Sequence, residues 1–598
     1  MCRIAGIINQ KLSDKEIDVA IQRMCNTMHK GGPDGEGYLL LPDFNLAFGH
    51  RRLSLIDLSE NGKQPMPYQN QLWITFNGEI YNYPALKTDL IAKGFSFNNE
   101  TDTEVILAGY QAYGTSFFKA LKGMFAFALL DQNTKQTFLV RDGLGIKPLY
   151  YAINENQLCF ASEVKAFAAL NSNWKENPDW PIYFLSFGFI PEPYTTLEGV
   201  RNLPKGQFLT WDHQKQSATL QRFVDDYPST EEMEQLAAQQ EIKVKLDQSV
   251  KRHLIADAPI GVFLSGGIDS SLLSLIASEQ TKQVVNTVSI NFNEPEFSEQ
   301  KYQEIIAKQI NSKHISYTVT ANDFEQHIDQ IFADMDQPSN DGVNSWFVNK
   351  VAKENGLKAV LSGIGADELF GGYPSFKRHQ LIKKLKKVPR FLLKSAKYLP
   401  SDKLKRISFL AYNNPIGEYL FLRGFYTPNV VSKLLQIPEK KIEELLANYP
   451  INKEVEQLSA EDRISWFETN IYMQNQLLKD TDYMSMAHGV EVRVPFLDQD
   501  LIAKTLALPK DARFNEQPKS LLIKTYHQLL PEAIWNRPKK GFTFPFQHWF
   551  TNYKPMLNEE HYHKNPQALA LLKQFKNHQL HWSKLFAVYQ VFHRAKKA

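Results

Sequence analysis

The chain has 598 residues, 43% of them hydrophobic and 22% charged, which predicts more than one globular domain. A net charge of +3 gives no overall field for nucleic acid, and three cysteines (Cys2, Cys25 and Cys159) make neither a disulfide framework nor a zinc set. No apolar run approaches the ~18 residues of a membrane span, the N-terminus lacks a signal-peptide pattern, and a reducing, cytoplasmic setting is expected.

Cys2 follows Met1 directly. Removal of Met1 would leave a cysteine whose own α-amine, titrating near pH ~8, can act as base for its thiol. Cys25, in a helical pattern, and Cys159, in a strand pattern, read as core. The segment from His50 to Asp57 follows a predicted strand. Residues 72–76 read as a second strand, followed by Asn77-Gly78-Glu79. Thr101-Asp102 opens an apolar helix. A small amino acid as ligand needs a cation for its carboxylate, a role open to Arg52, and an acid for its amine, open to Asp102 and Glu79. An oxyanion formed at a thioester needs neutral donors, and the Asn77 side chain with the Gly78 N–H would serve. Each residue also has a bland alternative: a helix cap for Thr101 and Asp102, a surface ion pair for Arg52, and a hairpin turn for Asn77-Gly78.

In this order Cys2, RRLSLID, NGEIYN, TDTEVIL, GMFAFALLD and RDGLGIKPLYY resemble the N-terminal-nucleophile glutaminase domain of class II amidotransferases. The resemblance implies an αββα sandwich in which the cysteine attacks the glutamine side-chain amide and releases ammonia. Its glutamine-binding positions fall on Arg52, Leu53, Ser54, Leu55, Ile56, Asn77, Gly78, Glu79 and Asp102. Gly31 stands where that family usually has Arg. Strands within 200–211 are expected to close a first domain of residues 1–211. A linker is expected over 212–230, and a second domain over 231–598, entered through a helix.

The second domain opens on residues 258–277. An apolar strand pattern (260–264) runs through Ser265-Gly266-Gly267-Ile268-Asp269-Ser270-Ser271 into a helical pattern. A strand, a glycine turn and a helix start make an anion site, with Ser265, Ser270 and Ser271 as added donors. No Gly-Lys-Ser/Thr follows, so this is not a Walker A loop. It resembles the SGGxDSS pyrophosphate loop of enzymes that cleave ATP between its α and β phosphates and adenylate their substrates. Alternating strands and helices after it predict a parallel α/β sheet, with ligands at the strand C-termini. By this match Phe263 and Ile290 contact adenine. A further strand ends in Ser362-Gly363-Ile364-Gly365-Ala366-Asp367-Glu368. Its small residues beside two acids suit ATP, and Asp269 and Asp367 suit a magnesium ion (Mg2+) shared with phosphate oxygens. A helix-start acidic pair is the alternative for Asp367-Glu368.

SGxGADELFGGY (362–373), GVEVRVPFLD (489–498) and KKGF (539–542) resemble glutamine-dependent asparagine synthetase. The resemblance implies a lysine at the adenylated carboxylate, which Lys539 fits by position, then Lys540. Two departures matter. Ile364 stands where the family usually has Glu, and residues 336–344 lack the arginine expected for aspartate. Aspartate is the leading acceptor. A uronic acid of a surface polysaccharide or diaminopimelate of a wall precursor stays open, as does a non-catalytic binding homologue. Residues 383–406 are rich in Lys and Arg and read as a solvated helix face, with an anionic partner or membrane surface as the alternative. The expected partners are small molecules (glutamine, ATP and the carboxylate), with no nucleic acid. A homodimer is allowed, and a shielded ammonia passage is expected from the family.

Overall fold

The computed structural model describes residues 2–170, 174–224, 231–514 and 517–594. The N-terminal half holds two six-stranded sheets. The first runs in the order Arg201–Asn202, Tyr150–Asn154, Gln157–Ala161, Arg3–Ile8, Leu46–Arg52, Gly35–Leu41, all antiparallel. The second runs Ser217–Arg222, Gln207–Asp212, Gln136–Arg141, Gly123–Asp131, Leu72–Ile80, Met66–Tyr68, also antiparallel.

The layering follows from the two-residue alternation of strands. Along Arg3–Ile8, Ala5 and Ile7 pack with Ile17, Ile21 and Cys25 of the helix Asp14–Thr27, while Ile4 and Ile8 face the other sheet. Along Gly123–Asp131, Phe125, Phe127 and Leu129 meet the helix Asp102–Tyr113, while Ala126, Ala128 and Leu130 fill the inter-sheet core. Both strands are therefore buried on two faces, and the layers are helix, sheet, sheet, helix, as the αββα expectation requires. Cys25 and Cys159 are buried in the core.

The C-terminal half is built on a five-stranded parallel sheet in the order Lys313–Val319, Asn286–Phe292, Ile260–Phe263, Ala359–Leu361, Glu491–Arg493. The fold is thus an N-terminal-nucleophile sandwich followed by an α/β domain.

Three expectations are corrected. Asn77-Gly78-Glu79 do not follow a strand but lie inside one, because the ladder to Gly123–Asp131 continues in register from Leu72 to Ile80. No hairpin turn sits there. Gly78 has φ +150°, and a Cβ on it would stand 2.1 Å from the Met124 carbonyl oxygen, so only glycine fits this approach. Second, the strand Ser217–Arg222 occupies the stretch expected to be linker, since its backbone pairs fully with Gln207–Asp212. Residues 225–230 of that expected linker lie outside the described residues. Third, residues 180–190 do not belong with the sandwich. The helix Trp180–Phe187, apolar on all sides, joins the large core of the C-terminal half with Tyr419, Tyr449 and Leu420.

Candidate functional sites

Cys2 sits at the start of a central strand of the first sheet, its Sγ 3.9 Å from the Leu53 carbonyl oxygen. It lines a small cavity of about 30 Å³ together with Arg52 to Ile56, Gly78, Glu79 and Asp102, so nearly all the expected glutamine-binding positions converge. Asn77 is not on the cavity wall. It is fully buried, and its amide N and O have no hydrogen-bond partner among the described residues. Two guanidinium nitrogens of Arg52 donate to the carbonyls of Ser59 (2.6 Å) and Asp57, which fixes the cation at the cavity edge. Burial pushes the Cys2 thiol up from its ordinary value.

Both acids are buried. Burial pushes Asp102 up to about 7; the Ile80 N–H, donating to it at 2.9 Å, opposes this, and Glu491 adds to it. Glu79 is held well above the carboxylate range by burial and by Glu491, against the pull of Arg493. Asp34 accepts from the Ser54 N–H (2.9 Å) and pairs with Lys358 (2.6 Å), so it braces the 52–56 loop and ties it to the second half. At Gly31 a Cβ would stand 2.8 Å from Arg3 Cγ, which leaves no room there for the family's usual arginine.

The second site lies at the C-terminal ends of the parallel strands. A cavity of about 740 Å³ is lined by Phe263, Ser265, Asp269, Ser270, Ile290 and Ser362, with Gly363, Ile364, Asp367 and Lys539 also on its wall. Gly266, Gly267 and Ser271 do not line it. Gly266 turns the loop at φ +85° and Gly267 caps the helix Ile268–Gln280. Ser271 lies under the loop, fully buried, its hydroxyl without a partner among the described residues. The Ser270 hydroxyl accepts the Ser265 N–H at 3.1 Å and closes the turn.

The two acids expected to hold a metal do converge, and on a residue that sequence reasoning passed over. Lys519 Nζ donates to both oxygens of Asp269 (2.6 and 2.5 Å) and pairs with Asp367. Burial pulls this ammonium down, but Asp269 and Asp367 more than offset it and hold it above its ordinary value. Lys519 has φ +61°, a left-handed backbone that a non-glycine residue rarely adopts, at a strain of order 1–3 kcal/mol. Such strain persists where the surroundings fix a side chain in place. Lys539 also reaches Asp367 (2.6 Å) and the Gly372 carbonyl (3.0 Å), from a more exposed position. Lys540 points elsewhere, toward the Ser298 carbonyl (3.4 Å).

Two carboxylates that share one ammonium stand close enough to share one divalent cation. Among the described residues no group of three or more His, Cys, Asp or Glu could hold a metal. Magnesium bound mainly by phosphate oxygens needs only one or two protein carboxylates, so Asp269 and Asp367 fit it.

Glu368, read as a helix-start acid, is fully buried on the wall of the same cavity. Burial, with the charge of Asp367, pushes it up to about 7; it accepts from the Tyr373 hydroxyl at 2.7 Å. Ile364 contributes an apolar wall. Asp336 is not in the cavity: its carboxylate accepts the N–H groups of Val164 and Lys165, both at 2.8 Å, and so locks the two halves together. A second cavity of about 440 Å³ shares Asp341, Asn344, Tyr472, Phe542 and Thr543 with the first. Asp480 stands near Asp341, and burial and that neighbour hold it well above the carboxylate range. Asn340, on the wall of the second cavity, is buried with both amide atoms lacking a partner among the described residues.

A family model described as "Asparagine synthase" matches residues 241–582, and one described as "Glutamine amidotransferase domain" matches residues 1–224. Among curated relatives, "Asparagine synthetase [glutamine-hydrolyzing] 1" of Bacillus subtilis is 32% identical over 92% of this chain and 88% of its own length. "Putative asparagine synthetase [glutamine-hydrolyzing]" of Mycobacterium bovis is 31% identical over 89% of this chain and 84% of its own. "Amidase chry2" of Gibberella zeae is 25% identical over 90% and 86%.

Proposed function

Because the chain belongs to the glutamine-hydrolysing asparagine synthetase family, ATP-dependent carbon–nitrogen ligases with glutamine as amido donor, we propose that its two sites act in sequence to turn a carboxylate into an amide. Glutamine enters the first cavity with its carboxylate on Arg52 and its ammonium between Glu79 and Asp102. The Cys2 sulfur attacks the side-chain amide carbon. The Gly78 N–H, on the cavity wall, stabilises the oxyanion as the C–N bond breaks, and the buried, unpartnered Asn77 amide next to it becomes the second donor once turned toward the cavity. Water then hydrolyses the thioester to glutamate.

In the second cavity the pyrophosphate of ATP lies on the Ser265–Ser271 loop, with adenine near Phe263 and Ile290. The acceptor carboxylate attacks the α-phosphorus, pyrophosphate leaves, and an acyl-adenylate remains. Lys519 supplies fixed positive charge at this transfer, and Lys539 assists from the cavity wall. Asp269 and Asp367 would hold Mg2+, which neutralises the departing pyrophosphate when bound. Ammonia then attacks the acyl carbon, AMP leaves, and Glu368 is poised near neutral pH to take the extra proton.

The observation that carries this reading is the convergence of Asp269 and Asp367 on one cavity beside the Ser-Gly-Gly loop, with the buried Lys519 pairing both from behind the cavity wall. The relatives' names point to aspartate as acceptor, with asparagine, AMP and pyrophosphate as products. One observation favours a second reading. Ile364 offers no charge; Asp341 and Asp480 line the same cavity as Ile364, and Asp341 also lines the further cavity together with the unpartnered Asn340. An acceptor larger than aspartate, with an amine remote from its reacting carboxylate, would answer these groups. Diaminopimelate has such an amine; a uronic acid does not. The test is an acceptor screen by pyrophosphate release with ammonia supplied directly. Release with aspartate supports the first reading and release with diaminopimelate the second. Release with neither overturns both.

A further inference from the structure

Between Ser375 and Arg406 the chain carries twelve Lys or Arg and one acid, Asp402, whereas the whole chain has a net charge of only +3, so the rest of the molecule is net acidic. The helix Ser375–Leu385, a break at Pro389 and the short helices Arg390–Ser395 and Asp402–Lys405 form this region. Lys383, Lys384, Lys387, Arg390, Lys394 and Lys403 are exposed and have no ion-pair partner among the described residues. Interleaved with them are exposed apolar side chains: Phe391 is 72% exposed, Tyr398 81%, Leu392 49% and Leu381 48%, with Leu399 and Leu404 beside them. Ile382, Leu393 and Ala396 point inward and are buried, so the patch is the outer face of a segment anchored to the protein body.

We propose that this face docks the enzyme on the surface of an anionic phospholipid bilayer. The charges suit phosphate headgroups, and lysine stems can lie along the surface while their ammonium groups reach the phosphates. The apolar side chains suit the headgroup–acyl boundary, where an interfacial helix buries its apolar face. Nucleic acid would answer the lysines but offers nothing to the leucines. No helix among the described residues is long and apolar enough to cross a membrane, so contact would be peripheral. The placement also bears on the chemistry. Tyr373 and Lys377, at the start of the helix Ser375–Leu385, line the nucleotide cavity. Eleven residues of helix span about 16 Å, so docking brings the synthetase cavity within about that distance of the headgroups.

The test is co-sedimentation of the full-length protein with vesicles of phosphatidylcholine alone and of phosphatidylcholine containing about 30% phosphatidylglycerol. The protein should sediment with the anionic vesicles and not with the neutral ones, and raised salt should release it. The paired change Phe391→Ser with Leu392→Ser, and separately Lys383→Glu with Lys384→Glu, should each lower partitioning about tenfold or more. Retained glutaminase activity, read at the remote Cys2 site, shows that each variant is folded. Failure to sediment, equal binding to neutral vesicles, unchanged binding by both variants, or displacement by duplex DNA at equal charge would overturn the proposal. The readout needs no acceptor, so it stands apart from the outcome of the acceptor screen.

Discussion

Glu79 of the glutaminase half and Arg493 of the parallel sheet meet across the boundary between the halves, 3.7 Å apart and both buried. Arg493 is held by Glu491 at 2.5 Å and donates to the carbonyls of His253 (2.8 Å) and Ile255 (2.6 Å). Its own carbonyl accepts the Ser362 N–H at 2.8 Å. One residue therefore touches the wall of the glutamine cavity with its side chain and the nucleotide cavity with its backbone.

Arg493→Met removes the cation that faces two buried acids. Breaking such a pair costs about 3–5 kcal/mol, so a large fall in denaturant midpoint is expected, with weaker glutamine binding because Glu79 loses its partner. A loss below about 1 kcal/mol would show that the contact is not maintained.

Lys519→Met should abolish acceptor-dependent pyrophosphate release, by a factor of ~10³ or more, while glutamine hydrolysis continues. Lys539→Met should cost less, on the order of tenfold, because its ammonium is more exposed and shares only Asp367. Equal losses in the two variants, read by pyrophosphate release, would show that Lys519 has no special role.

Asp102 gives a pH signature. Burial pushes its pKa up to about 7, above its unfolded value. The group therefore contributes stability that is present at low pH and lost as pH rises toward 7. Glutamine's ammonium needs the ionised form, so KM for glutamine should fall as pH rises to about 7 and then level off. Asp102→Asn should raise KM and flatten this profile. It should also make the ligand-free protein relatively more stable at pH 8, read by thermal unfolding.

Asp480→Asn should raise KM for an amine-bearing acceptor about tenfold or more, through loss of one charge-assisted contact, and leave KM for ATP unchanged. A parallel rise for ATP would move Asp480 from acceptor recognition to the general structure of the cavity.

The parts of the sites that lie on contiguous motifs could be read from the sequence. Ser265 to Ser271 form one turn and Arg52 to Ile56 one loop, so neighbours in sequence remain neighbours in space. Lys519 escaped because nothing in its local pattern separates it from other lysines. Its role appears only when a left-handed backbone aims it at Asp269, 250 residues away in sequence. Glu368 was legible as an acid at a helix start, but its raised pKa comes from burial and from Asp367. The 180–190 segment shows a further limit: an all-apolar helix announces burial without naming the core it joins. Nothing in the sequence marks Asp336 as a structural residue, yet its carboxylate accepts two backbone N–H groups of the other half.

The proposed chemistry is ATP cleavage between the α and β phosphates, driven by a carboxylate and completed by ammonia. Phosphorus NMR of ATP turnover by the Cys2→Ala protein, given ammonia and the acceptor found in the screen, tests this directly. One AMP and one pyrophosphate per amide formed, both lost in Lys519→Met, is the predicted result. ADP and inorganic phosphate as products, or AMP formation that does not depend on the acceptor, would contradict it.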